Sequence, residues 1–106
     1  MKQWEIYLFP FPENQQHPFV IISNDGICDN PAHAFVNALI CQTVRPQSRP
    51  KKVNEVYLGP EDGLDWKTLV KCDYVHSLGK EDIISRVGRV CPQRVMQIRQ
   101  LLASFF

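Results

Sequence analysis

Residues 3–9, Gln-Trp-Glu-Ile-Tyr-Leu-Phe, set Trp4, Ile6 and Leu8 on one face against Glu5 and Tyr7 on the other. A period of two describes a half-buried strand. The rhythm returns several times. Residues 19–23 are a β-branched run. In residues 34–44, Phe35, Asn37, Leu39 and Cys41 oppose Val36, Ala38, Ile40 and Gln42. Residues 53–58 form another strand, and 65–78 alternate well enough for a strand with a bend. Turn chemistry separates these runs. Residues 10–18 hold three prolines and read as a loop, and 24–33 carry Asn-Asp-Gly and Asn-Pro. Residues 45–52 lose ladder donors to two prolines, and 59–63, Gly-Pro-Glu-Asp-Gly, form a turn. Residues 79–90 start as a short turn or helix and end in a short strand. Only residues 91–106 change period. There Val95, Ile98, Leu102 and Phe105 recur at helical spacing behind Pro92, whose missing N–H is harmless at a first helical position. Five to seven short strands closed by one C-terminal helix point to a mainly β class and a small, bent β-barrel.

At 106 residues the chain is expected to form one domain, 1–106, and a chain this size gains from the extra burial of a dimer. The net charge of +1 excludes a uniformly basic nucleic-acid binder, but the charges are segregated. No acid falls between Asn30 and Asn54, where Arg45, Arg49, Lys51 and Lys52 lie, or after Ile83, where Arg86, Arg89, Arg94 and Arg99 lie. Such a distribution can put a basic face on a nearly neutral molecule. Cys28, Cys41, Cys72 and Cys91 lack a C-x-x-C pair, and His17, His33 and His76 lack ligand spacing to them. The expectation is four reduced thiols, no metal and no cofactor, in a cytoplasmic protein without a membrane segment.

The order of motifs resembles a known family. "WEIYLFPF" looks like the opening strand of the MazF/PemK/Kid toxins of bacterial type II toxin–antitoxin systems. "HPFVIISND" is similar to their Arg-Pro-hydrophobic stretch ending in Ser, and "LICQTVRP" to their strand ending in a threonine. "KVNEVYLGPEDGLDWKTLVKCDYVHSL" resembles their strand, Gly-Leu turn and following strand, and "IISRVGRVCPQRVMQIRQLL" their glycine-containing element and final helix. The resemblance implies an SH3-like barrel related to the gyrase poison CcdB. It also implies a sequence-specific endoribonuclease that cuts single-stranded mRNA without metal, works as a homodimer and is neutralised by a cognate antitoxin. By the same match, His17 stands where the family has the arginine of its catalytic pair, and Thr43 matches the pair's threonine.

The substrate's own 2′-hydroxyl would be the nucleophile in that reaction. The protein must then remove a proton, stabilise a crowded phosphate and protonate the leaving 5′-oxygen. Histidine as a residue type titrates near pH 6.5 and can move protons, whereas arginine excels at holding phosphate. His17 is therefore either a loop residue or an acid–base group, with Arg45 able to restore the missing charge. Thr43 either bonds the backbone or donates to a phosphate oxygen. Gln42, Arg45, Arg49, Lys51 and Lys52 are the candidate RNA-binding residues, with Phe9, Phe11 and Phe19 as candidate stacking partners. His33 reads as a loop residue and His76 as a strand surface residue. The alternative, from another class, is a non-cleaving binder: a CcdB-like gyrase poison or a degenerate family member.

Overall fold

The computed structural model describes residues 1–11, 15–43 and 50–106. Among them are seven strands: β1 (Glu5–Phe11), β2 (Gln15–Ile21), β3 (Phe35–Thr43), β4 (Glu55–Leu58), β5 (Thr68–Lys71), β6 (His76–Gly79) and β7 (Ser85–Arg89). Two α-helices, α1 (Asp25–Asp29) and α2 (Pro92–Phe105), and 3-10 turns at Pro60–Asp62 and Lys80–Asp82 complete the description. The strands run β4-β5-β3-β2-β1-β7, with β6 also on β3, in one curled half-barrel sheet. The mainly β class with a C-terminal helix is as the residue pattern indicated.

Of residues 10–18, read as a loop, those described (10–11 and 15–18) belong to strands. Pro10 sits in β1 opposite Gln16, one pair before the strand ends at Phe11, and His17 and Pro18 sit in β2 opposite Phe9 and Leu8. The prolines fit because their ring nitrogens face no partner. The Ile22 amide reaches Asn37 on β3, so even-numbered β2 residues aim their N–H at β3; that ladder has ended before Pro18. Leu8 likewise faces β7 through its carbonyl, and β7 does not reach Pro10. Proline is tolerated where the ladder has stopped. Residues 24–33 also hold more order than a turn. Asn24 accepts from the Ile27 amide at 2.9 Å and caps the short α1, whose Cys28 plugs the sheet.

The bend expected in 65–78 is a break. Val70 pairs with Cys41 and His76 with Ala38. Three positions along β3 thus correspond to six along its partner, so the connecting residues bulge out and the two halves aim differently. The C-terminal half of β3 swings with β5 and β4, and this curls the sheet. Inside the curl Ile6, Val20, Leu39, Cys41, Leu58, Val70 and Ile98 of α2 form the main core. The outer face carries a second core of Phe9, Phe19, Ile21, Val36, Ala38 and Ile40 under α1.

The turn before α2 is pinned from both sides. The buried Asp62 carboxylate accepts from the Gly59 amide at 2.9 Å and the Cys91 amide at 2.8 Å. Arg94 of α2 reaches Glu61 and the Tyr57 carbonyl. Gly63 has φ 88°, a left-handed conformation that suits glycine, and lies directly on Gly88 of β7. All four cysteines are free thiols; burial, followed by the charges of Asp73 and Glu55, pushes Cys72 up to about 12.

Candidate nucleic-acid interface

The candidate site forms where β2 and β3 part. Their pairing runs from Ile21–Ala38 to Phe19–Ile40 and then ends. Beyond it β2 stays with β1, while Cys41–Thr43 of β3 pair with β5. His17 and Thr43 lie two and three residues past the last shared pair, at the same end of the sheet. Alternation places them on opposite faces, however. Phe19 and Ile40 belong to the outer core, so His17 and Gln42 share that face; Val20 and Leu39 belong to the inner core, so Pro18 and Thr43 share the other.

The cavities follow this division. Pro18 and Thr43 line one cleft of about 160 Å³ with Leu8, Gly63, Leu64, Asp65, Trp66, Thr68 and Val87. Gln42 lines a different hollow of about 570 Å³ with Lys52, Val53, Asn54, Glu55, Lys71, Asp73 and Phe105. Lys51 lines a third, against α2, with Val53 and Glu55 in common with the second. Arg45 and Arg49 lie outside the described residues.

Thr43 and Thr68 face each other across β3 and β5. The buried Thr68 donates its hydroxyl to the Trp66 carbonyl at 2.9 Å. Thr43 is exposed at the cleft, and no described residue bonds its hydroxyl. His17 is half-buried, with Nε2 3.4 Å from Gln15 Oε1.

In the second hollow the carboxylates are engaged locally. Glu55 accepts from the Lys52 amide at 2.7 Å, and Asp73 from the Asn54 side chain at 2.8 Å. Neither Lys52 nor Lys71 has an ion-pair partner among the described residues, and both line the hollow. Val53 and Phe105 add exposed apolar surface beside them.

Several aromatic expectations change. Phe9 and Phe19 are buried and cannot stack on a base; they pack edge-on at 5.8 Å in the outer core. The Phe11 side chain lies outside the description. His76 is half-buried rather than a surface residue, with its ring 5.5 Å from Phe19 and 4.7 Å from Tyr74. Burial, then the Lys71 charge, moves its pKa below the ordinary imidazole value. Among the cleft-lining residues that sequence reasoning did not single out are Pro18, Asp65, Trp66 and Lys71. Trp66 offered a signal: a large aromatic beside a Gly-Leu turn, flanked by Asp65 and Lys67, has no apolar neighbour in sequence to bury it.

The curled sheet closed by a C-terminal helix is a known toxin architecture. An endoribonuclease in complex with its cognate antitoxin, from a mycobacterial species, superposes with a TM-score of 0.81 at 25% identity, over 99% of this chain and 93% of that one. An endoribonuclease from a mycobacterial species gives 0.76 at 26% identity, over 99% and 89%. The Mycobacterium tuberculosis toxin MazF-mt6 gives 0.79 at 16%, over 96% and 95%, a likeness of fold alone. Among curated proteins none matches the chain in sequence. A family profile described as PemK-like, MazF-like toxin of type II toxin-antitoxin system matches residues 2–106, and the chain belongs to that family. No helix among the described residues is long and apolar enough to cross a membrane.

Proposed function

We propose that the chain is the endoribonuclease toxin of a type II toxin–antitoxin pair and cuts single-stranded mRNA at a preferred sequence. The observation that carries this reading is the exposed Thr43, whose hydroxyl no described residue bonds, where β2 and β3 part in a chain of the PemK-like, MazF-like family. In the proposed reaction the RNA backbone crosses this rim and Thr43 donates to a non-bridging phosphate oxygen. The 2′-hydroxyl loses its proton to a base as its oxygen bonds phosphorus. The bond from phosphorus to the 5′-oxygen breaks, and that oxygen takes a proton, leaving a 2′,3′-cyclic phosphate and a 5′-hydroxyl. His17, at the same end of the sheet on the outer face, is the proposed acid–base group, a role worth roughly 10²–10⁴ in rate. Gln42, Lys51, Lys52 and Lys71 hold flanking phosphates, with Arg45 and Arg49 from the connection after Thr43.

The proposed working form is a homodimer in the cytoplasm, held in check by an antitoxin whose acidic, apolar segment covers Lys52, Lys71, Val53 and Phe105. The opposite facing of His17 and Thr43 favours a second reading, in which the chain binds as a toxin without cutting. The test is incubation of purified protein with single-stranded RNA in EDTA, with cut sites mapped by primer extension. Cutting that is lost in Thr43→Ala and His17→Ala supports the nuclease with both roles. Cutting lost only in Thr43→Ala removes His17 from the chemistry. Intact RNA with gyrase-dependent DNA damage supports the second reading.

A further inference from the structure

The cleft beside Thr43 has a feature that cleavage alone does not require. Trp66 stands at its edge with 70% of its surface exposed. Its backbone is nevertheless held: the buried Thr68 hydroxyl bonds its carbonyl, and the Gly63 turn that precedes it packs on Gly88. A fixed main chain therefore presents a free indole face. Pro18 and Leu64 supply apolar walls, and the space of about 160 Å³ is well under the ~300 Å³ at which drug-sized pockets begin.

The charge in this cleft selects the part of a nucleotide that can enter. Asp65 is its carboxylate, and no described cation pairs with it. An ionised carboxylate accepts hydrogen bonds only and repels a phosphate. A base edge rich in N–H donors suits it, and guanine offers two adjacent ones on its Watson–Crick edge. Exposed aromatics and Watson–Crick contacts are how unpaired RNA is read.

We infer that Trp66 and Asp65 form a base subsite, in which one unstacked guanine of the RNA lies on the indole with its Watson–Crick edge toward the carboxylate, next to the phosphate held by Thr43. This inference rests on the ribonuclease reading and adds a specificity determinant to it.

The probe is the RNA segment mapped in the cleavage test, synthesised with a 2′-O-methyl group at the cut nucleotide. Anisotropy reports its binding, and tryptophan emission reports stacking, because Trp4 is buried and Trp66 is the exposed indole. Binding should quench wild-type emission; Trp66→Phe should bind comparably without the quench. Trp66→Ala should bind about 10-fold more weakly. Making one guanine abasic should cost the wild type about 10-fold and Trp66→Ala nothing further. Asp65→Asn should reduce preference for that guanine by about 10-fold. If Trp66→Ala binds and cuts like the wild type, or the abasic and Trp66→Ala losses add, the subsite falls and the nuclease stands. A change in oligomeric state alone makes Trp66 a protein contact and likewise overturns the subsite. Wild-type protein that neither binds nor cuts RNA removes the ribonuclease reading and the subsite with it.

Discussion

Thr43 and Thr68 are cross-strand partners, and burial separates them. Thr68 is enclosed and must bond the backbone, because an unbonded buried hydroxyl costs about 1–3 kcal/mol. Thr43 meets solvent and keeps its donor available. Thr43→Ala should lower cleavage by about 10²–10³-fold, the cost of losing one donor to developing negative charge, while Thr43→Ser should retain most of it. Single-turnover cleavage of the mapped RNA measures both; equal losses in the two variants would remove the hydroxyl from the chemistry. The place of Thr43 at a strand end was legible because a family motif ends there. Its face was not, since a strand pattern gives alternation without saying which side becomes the cleft.

Among the elements, the Gly-Leu turn and the Val-Gly-Arg-Val strand read as two separate motifs along the chain. Folding makes them one contact. A Cβ on Gly88 would lie 2.1 Å from the Asp62 carbonyl oxygen, a distance no side chain accepts, so the turn under Trp66 would have to move. Gly88→Ala should cost about 1–3 kcal/mol in urea denaturation. An unchanged midpoint would show that the turn and β7 are not packed as described. Asp62→Asn replaces one acceptor oxygen by a donor while the amides of Gly59 and Cys91 still point at it. A loss of about 1–3 kcal/mol is expected, read from the urea midpoint with the slope of the transition unchanged. The continuation of β1 through Pro10 and the early start of β2 before Pro18 were hidden in the sequence by the prolines. Those residues normally argue against a strand, and only the early end of the neighbouring ladders makes them acceptable.

For the whole molecule, acid should be destabilising through Glu5. Burial opposes its charge, but the Tyr7 hydroxyl, the Lys2 amide and Arg86, whose Nε is 2.6 Å away, hold its pKa below the usual 4.5. A carboxyl with a lowered folded pKa adds stability above its unfolded pKa and loses it as pH falls through the folded value. Melting temperature should therefore fall between about pH 5 and 3 more steeply in the wild type than in Glu5→Gln; parallel profiles would contradict this. RNA binding should weaken with salt in proportion to the phosphates contacted, and Lys52→Ala or Lys71→Ala should each lower the slope of log affinity against log salt by about 0.7. An unchanged slope would take that lysine out of the phosphate path.

Alternation in residues 3–9 and 34–44, the helical spacing behind Pro92 and the punctuation between them were enough to specify strands, a closing helix and a family, because these are local constraints repeated along the chain. The extra residues between β5 and β6, the parting of β2 from β3, and the separation of His17 from the Thr43 cleft depend on which ladders continue and which stop. That choice is made by packing between residues far apart in sequence, and no local pattern records it.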